Sequence, residues 1–320
     1  MSKIYTLTLS PALDKSTFIE RVIPENKLRC EEPKFEAGGG GINISRALRK
    51  LEGHSVAIWP KGGHVGILME DLLAKDGIEQ ITIPAQNWNR ENFTVVESST
   101  NRQYRFGMPG PALLEEEWRA MLKVVAEAAD LEFIVVSGST PDGVPNTFYS
   151  ELSTIAKEKN AKLVLDTSGE SLHEALKIGV YLCKPNLHEL SELVGRELDT
   201  LQKQEAAALE IIETGKVEVL VVSMGPFGAL MAAKEGIYHV AAPPVQKRST
   251  VGAGDSMVAG LVHCLSKDWK LQETLKYAVA CGTAATMNTG TELCNLEDVQ
   301  YLYQWINSRT PSRLYRDYNF

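Results

Sequence analysis

Apolar residues along the chain fall into short continuous runs that alternate with longer amphipathic stretches. FIVVSGS (133–139), KLVLDTSG (162–169), YLCKPN (181–186) and VEVLVVSMGPFG (217–228) carry consecutive aliphatic residues, the pattern of strands buried on both faces. Between and around them, EEEWRAMLKVVAEAA, TFYSELSTIAKEKN, SLHEALKIG, LHELSELVG and EAAALEIIETG repeat apolar residues at helical spacing. Earlier in the chain, Ile4 to Leu9, SVAIWP and IEQITIPA read as strands, and SPALD turns outward with Asp14 near its tip. AGGGGIN opens one amphipathic helix, and VGILMEDLLAKDG forms another that is closed by Gly77. After residue 228 come two strand-like pieces and then the helix that follows GAGD.

Strands alternating with helices predict an α/β fold, a mostly parallel sheet with helices on both faces. Two polar blocks, at about 16–36 and 89–107, break the rhythm. They read as exposed extended structure, the second with a hairpin turn at SSTNR. Two such excursions can pair into a small sheet over a site, and an exposed sheet acts as a lid or hides its face against another subunit. The expected organisation is a single domain over 1–320 with a small β subdomain, and a homodimer formed through the lid.

Composition narrows the partners. The net charge of -8 leaves no basic stripe for nucleic acid. Five scattered cysteines, with no CxxC spacing, fit reduced thiols better than a disulfide framework or zinc site. The first residues lack a long apolar signal-type run, and no stretch reaches membrane-spanning length, so a soluble cytoplasmic protein is expected.

Chemistry concentrates in two glycine-rich stretches. Gly252, Ala253 and Gly254 lead into Asp255 and an apolar helix. Such a turn points free N–H groups and the positive end of a helix dipole at one spot, which suits an anion. Asp255 there reads either as a helix cap or as a base, and position alone favours the cap. The four glycines of AGGGGIN imply close backbone approach to something, and Asn43 in the following turn is either a sugar contact or an ordinary helix-start residue. Neither stretch completes GxGxxG or GxxxxGK[ST], so neither supports a dinucleotide fold or a P-loop. Polar residues recur at predicted strand ends: Asp14, Ser139, Asp166, Lys184 with Asn186, and Ser223 with Gly225. Asn186 and Glu189 have the spacing of a capping box and also that of a carboxylate–amide pair able to hold Mg²⁺ through its waters, with the box preferred. The six histidines show no ligand spacing.

AGGGGIN, KPN followed by Glu189, SMGPFGA and STVGAGDSMVAG together resemble the PfkB-type carbohydrate kinases of the ribokinase-like superfamily over nearly the whole chain. The resemblance implies a ribokinase-like doubly wound sheet with a β lid. IYTLTLSPALD, PENKLRC, YRFGMPGPAL, SGSTPDGV and DTSGE point within the family to ATP-dependent phosphorylation of fructose 6-phosphate on its 1-hydroxyl. Tagatose 6-phosphate and fructose 1-phosphate are the alternative substrates. On this resemblance Asp255 is the base, and the N–H groups of Gly252, Ala253 and Gly254 form an anion hole. Asp14, Gly39 and Asn43 hold sugar hydroxyls, while Arg90, Arg105, Ser139 and a Lys27 from across the dimer hold the sugar phosphate. Lys184, Asn186, Ser223, Gly225 and Gly228 line the ATP site, and Glu189 orients Mg²⁺ through water. Ser249, Val251, Ala285, Asn288 and Gly290 map onto a K⁺ loop.

The chain departs from the family pattern at Leu187 and His188, where more polar residues are usual, and at Glu292, where a basic residue is common close to the K⁺ loop. The C-terminal SRTPSRLYRDYNF extends past the final family helix. Readings from other classes are an NAD(P)-dependent oxidoreductase, disfavoured by the incomplete glycine motifs, and an inactive sugar-phosphate-binding regulator, disfavoured by the intact GAGD.

Overall fold

A computed structural model of the chain describes residues 3–309; residues 1–2 and the tail beyond 309 lie outside the described residues. Along the chain the elements are β1 (Lys3–Leu7), β2 (Ala12–Ile19), β3 (Lys34–Gly38), α1 (Gly40–Lys50), β4 (Val56–Lys61), α2 (Gly63–Lys75), β5 (Glu79–Pro84), β6 (Arg90–Glu97) and β7 (Arg102–Phe106). There follow α3 (Glu115–Glu127), β8 (Leu131–Ser137), α4 (Thr147–Glu158), β9 (Lys162–Asp166), α5 (Gly169–Ile178), β10 (Val180–Cys183), α6 (Leu187–Val194) and α7 (Leu201–Glu213). The chain then forms β11 (Val217–Ser223), β12 (Ala229–Ala233), β13 (Gly236–Val240), α8 (Ala253–Leu265), α9 (Leu271–Thr286) and α10 (Leu296–Arg309).

Nine strands form the main sheet in the order β13-β12-β11-β10-β9-β8-β1-β4-β5, parallel except for the β11–β12–β13 meander at one edge. The continuous apolar runs are explained by burial on both faces. Along β8, Ile134 and Val136 pack under α3 and α4 with Trp118, Met121, Phe148 and Tyr149, whereas Phe133 and Val135 pack on the α1, α8 and α9 side with Ile44, Val258 and Ala280. From β1 the chain winds one way to β4 and β5 and later the other way through β8 to β11. The β1/β8 pair is therefore the switch point, where the carboxyl ends of the strands open a crevice.

The two polar blocks pair with each other, as their pattern predicts, into a second sheet of order β3-β2-β6-β7. Their bounds shift, because pairing starts at Ala12 and ends at Gly38 in the first block. The expected outward turn at SPALD is corrected: Asp14 is an interior residue of β2, opposite Glu36 and Asn92. Nor is this sheet wholly exposed, since Leu13 and Ala37 pack with Ile42, Trp59 and Met69 at its base. The long α9, which the strand–helix pattern leaves unread, packs on α8, and α10, also unread, packs on α9; Leu302 and Ile306 of α10 join the core under these helices. Among the described residues no helix is long and apolar enough to cross a membrane.

Candidate active site

Asp255 decides how the GAGD turn is to be understood. Gly252 is the N-cap of α8, in the left-handed region at φ 73°, so the cap has no side chain. Asp255 lies three residues into the helix and its carboxylate takes no part in capping. Oδ2 accepts from Asn43 Nδ2 at 2.9 Å, and Oδ1 is 3.4 Å from Ser137 Oγ. These partners come from α1 and β8, so three elements converge on one carboxyl group. The first N–H groups of α8 have no intrahelical acceptor and form a cradle beside it.

Asn43 reaches Asp255 because α1 starts against the end of β8. Its N-cap Gly39 has φ 112°, and at Gly40 a Cβ would fall 2.2 Å from Ser137 Oγ and 2.7 Å from the Gly138 nitrogen. The glycine run of AGGGGIN thus serves backbone contact with the β8 loop.

Ser137, Asp166 and Lys184 end three neighbouring parallel strands. Ser137 faces Asp166 directly in the β8–β9 register, and its Oγ is 3.3 Å from Asp166 Oδ2. Asp166 Oδ1 pairs with Lys184 Nζ at 3.0 Å, and Lys184 is buried. Burial would depress the Lys184 ammonium, but Asp166, with the Glu189 and Asp255 charges, outweighs it and leaves the pKa above its ordinary value. Asp255 goes the same way for the opposite reason: loss of water and then the Asp166 charge push it up to about 6, against the hydrogen bond from Asn43 and the Lys184 charge. A cavity of about 600 Å³ opens over these groups, lined also by Gly40, Ser139, Thr140, Ser168 and Glu189.

The candidates at the ends of β10 and β11 lie together, though Lys184, Asn186, Ser223, Gly225 and Gly228 do not themselves line the cavity. Asn186 bridges to Ser223, and the Ser223 N–H donates to the Pro185 carbonyl at 3.0 Å. Gly225 begins a single 3₁₀ turn that Gly228 closes. Asn186 and Glu189 form the preferred capping box: Asn186 Oδ1 accepts from the Glu189 N–H at 2.9 Å, and Glu189 Oε2 accepts from the Asn186 N–H at 2.8 Å. Only one Glu189 oxygen is used in this way, and the other oxygen of this cavity-lining carboxylate fits a water of hydrated Mg²⁺.

The remaining candidates belong to the small sheet. Asp14 Oδ1 accepts from Asn92 Nδ2 at 2.9 Å; burial raises the Asp14 pKa, with Glu36 adding to the rise. Arg90, Asn92 and Thr94 alternate onto the Asp14 face of the sheet, and Arg105 pairs opposite Thr94, on that same face. The Arg90 guanidinium donates to the carbonyls of Met108 and Ser10. Its buried Nε has no acceptor among the described residues, a spare donor suited to an anion. Arg105 and Lys27 are exposed, and neither they nor Asp14, Gly39 and Arg90 line the cavity; of the sugar-side candidates Ser139 lines it and Asn43 reaches Asp255 directly.

The residues of the expected K⁺ loop do meet. Ser249 Oγ donates to the Gly290 carbonyl at 2.8 Å and receives the Val251 N–H at 3.2 Å, while the Asn288 N–H donates to the Ala285 carbonyl at 3.3 Å. Glu292 points elsewhere, pairing with Lys34 of β3 at 2.8 Å. Ser137 is absent from the sequence candidates. Its position as the last residue of a buried strand, in register with Asp166, is the signal that locates it.

A doubly wound sheet, a four-stranded β cover and an acid at a glycine-framed helix start define a sugar-kinase architecture, and the chain belongs to the pfkB family of carbohydrate kinases, whose profile matches residues 9–298. It is 44% identical over 308 residues to the ATP-dependent 6-phosphofructokinase isozyme 2 of Escherichia coli, covering 96% of this chain and 100% of that protein. A 1-phosphofructokinase of Bacillus subtilis is 31% identical over 299 residues, covering 93% of this chain and 97% of that one. The crystal structure of phosphofructokinase-2 from E. coli in complex with potassium superposes with a TM-score of 0.92 at 44% identity, over 96% of this chain and 100% of that chain.

The contact between α1 and β8 is testable by Gly40→Ala. A Cβ there meets backbone atoms that cannot step aside, so α1 and Asn43 must move, and kcat/KM is expected to fall about 100-fold with a lowered thermal midpoint. Wild-type kinetics would show that this contact gives way without consequence.

Proposed function

We propose that the protein transfers the γ-phosphoryl group of ATP to the 1-hydroxyl of fructose 6-phosphate, forming fructose 1,6-bisphosphate. The observation that carries the chemistry is the Asp255 carboxylate, held by Asn43 and Ser137 at the start of α8 and not spent on capping that helix. The choice of sugar rests on the higher identity to the 6-phosphofructokinase, 44% against 31% for the 1-phosphofructokinase.

In this reading Asp255 takes the proton of the 1-hydroxyl as its oxygen attacks the γ-phosphorus. The new O–P bond forms, the bond to the β-phosphate oxygen breaks and ADP leaves. The N–H groups of Gly252, Ala253, Gly254 and Asp255 hold the charge on the transferring group. Asp14, Gly39 and Asn43 orient the sugar ring. Arg90, Arg105 and Ser139 hold the 6-phosphate, assisted by Lys27 from a partner subunit. Lys184, Asn186, Ser223, Gly225 and Gly228 line the nucleotide side, with Lys184 close enough to the α8 cradle that a Cβ on Gly254 would touch its Nζ at 3.6 Å. Mg²⁺, oriented by Glu189 through water, supplies charge neutralisation on the ATP phosphates when bound. Ser249, Val251, Ala285, Asn288 and Gly290 hold K⁺ behind the cradle. The unpaired state of Cys30, Cys183, Cys264, Cys281 and Cys294 supports action in a reducing, cytoplasmic setting.

The small sheet is proposed as the lid of a single domain and as the contact between two copies of the chain. On its face opposite Asp14, one row aligns Lys15 with Phe35 and Phe93, and Phe93 with Phe106. Phe93 and Phe106 stack with ring centres 6.4 Å apart, yet Phe106 is 51% exposed and Phe35 38%. An aromatic row of this kind on a thin sheet favours cover by an identical row.

A kinetic panel of fructose 6-phosphate, tagatose 6-phosphate and fructose 1-phosphate with MgATP is expected to give the highest kcat/KM for the first. A lead for either rival would replace the assignment. Asp255→Asn should lower kcat about 10³-fold or more with sugar binding retained. In the native enzyme kcat should fall about tenfold per unit below pH 6, because a raised carboxyl pKa of about 6 leaves the base protonated there. A near-normal kcat for the variant would refute the base. Phe106→Asp is expected to convert dimers to monomers by light scattering; an unchanged dimer would place the interface elsewhere.

A further inference from the structure

Ser137 stands at the β1/β8 switch point as the last residue of β8, 3% exposed, with its hydroxyl between two carboxylates. Asp255 Oδ1 is 3.4 Å away on one side and Asp166 Oδ2 is 3.3 Å away on the other. A hydroxyl has one proton and can donate to only one of them at a time. The two acceptors are unequal. Asp166 has a cation of its own, Lys184 at 3.0 Å, whereas the direct contacts of Asp255 are the neutral Asn43 amide and this hydroxyl. Placement is enforced from two directions: the β8–β9 register sets Ser137 beside Asp166, and the backbone of Gly40 presses on Oγ so closely that a Cβ would lie at 2.2 Å.

We propose that Ser137 is a positioning residue for the phosphoryl transfer: its hydroxyl donates to Asp255 Oδ1 while that carboxylate waits as the base, and turns to Asp166 Oδ2 once Asp255 has taken the substrate proton. This rests on Asp255 being the base. With Asn43 fixing Oδ2 and Ser137 fixing Oδ1, the plane of the carboxylate is set by bonds at both oxygens, and the remaining lone pairs face the cavity. When the proton arrives, the neutral carboxyl group no longer competes for the hydroxyl, and Asp166 remains an anion beside it. No proton leaves the pair of carboxylates in this step: the one from the sugar stays on Asp255, and the hydroxyl keeps its own. The arrangement also keeps a donor between two like charges, which lowers the cost of holding both as anions before the reaction.

The charged groups that act on Asp255 are Asp166 from β9 and Lys184 after β10, and Glu189 of α6 lines the same cavity. Each is unchanged in Ser137→Ala, so the variant isolates the hydroxyl. Asp166 is already paired with Lys184, so the bond the hydroxyl gives it is the weaker of the two. Losing the donor therefore disfavours the anionic form of Asp255 more than the neutral form, and the acid limb of the kcat profile moves to higher pH. The expected shift is about one pH unit, with kcat at its plateau about 10- to 100-fold lower and KM for fructose 6-phosphate held within about twofold. A purely packing role would lower stability without moving that limb. Ser137→Cys, which fills the site but donates weakly, should move the limb in the same direction by less, and it serves if the alanine variant does not fold. An unmoved acid limb in a folded variant, with Asp255→Asn inactive, overturns the role of Ser137 and leaves the base assignment standing. An active Asp255→Asn overturns both.

Discussion

A carboxylate drawn away from water beside a second carboxylate is the constraint on which this site depends. Asp255 and Asp166 repel each other, and neither could remain charged at the end of an apolar sheet without compensation. The parallel register provides it. β8, β9 and β10 end side by side, so that Ser137, Asp166 and Lys184 form a row across three strands at the same height. The buried ammonium of Lys184 is held charged by Asp166, and the pair together leaves Asp255 as the group with proton affinity to spare. A carboxyl group with a pKa of about 6 exchanges its proton close to neutral pH, where a free aspartate stays ionised.

A second charged network fastens the small sheet to the body. Glu36 of β3, whose side chain is 7% exposed, accepts from Arg46 of α1 at 2.9 Å and from Thr291 at 2.5 Å, and these partners lower its pKa despite burial. Arg46 also holds Asp76 after α2 and the carbonyl of Ala37. Removing one side of such a desolvated pair strands the other, so this joint is costlier to break than the exposed Lys34–Glu292 pair next to it. Glu292 looks from sequence like a charge that could disturb a nearby cation. In the fold its partner is Lys34, and the contact ties β3 to the same 288–292 loop that meets Ser249.

The sequence makes the main sheet readable because burial on both faces demands uninterrupted apolar runs, and these stand out between amphipathic helices. The two excursions are readable for the opposite reason, since their polarity breaks that rhythm. Three things escape. Asp14 looks like a turn residue because serine, proline and aspartate favour turns locally, and only pairing with Glu36 and Asn92 reveals a strand. α9 has Ala278, Ala280, Ala284 and Ala285 buried among apolar residues on every side, which blurs the helical period. Ser137 is invisible because nothing local distinguishes a serine at the end of a strand; its meaning lies in which residue the neighbouring strand places opposite it.

Asp255 and Glu189 show how differently one ambiguity resolves. Each is an acid near a helix start, and each can be explained as capping. For Asp255 the explanations exclude one another: the N-cap is Gly252, and both carboxylate oxygens are engaged by other elements, so the charge is not there to finish the helix. For Glu189 they are compatible. The box with Asn186 takes a single bond at Oε2, and an ionised carboxylate has lone pairs left on both oxygens. Capping then does for Glu189 what Asn43 and Ser137 do for Asp255: it restrains a carboxylate that lines the cavity. A residue so held serves the helix and still faces the cavity, so the position that looks like a cap in the sequence is not thereby spent.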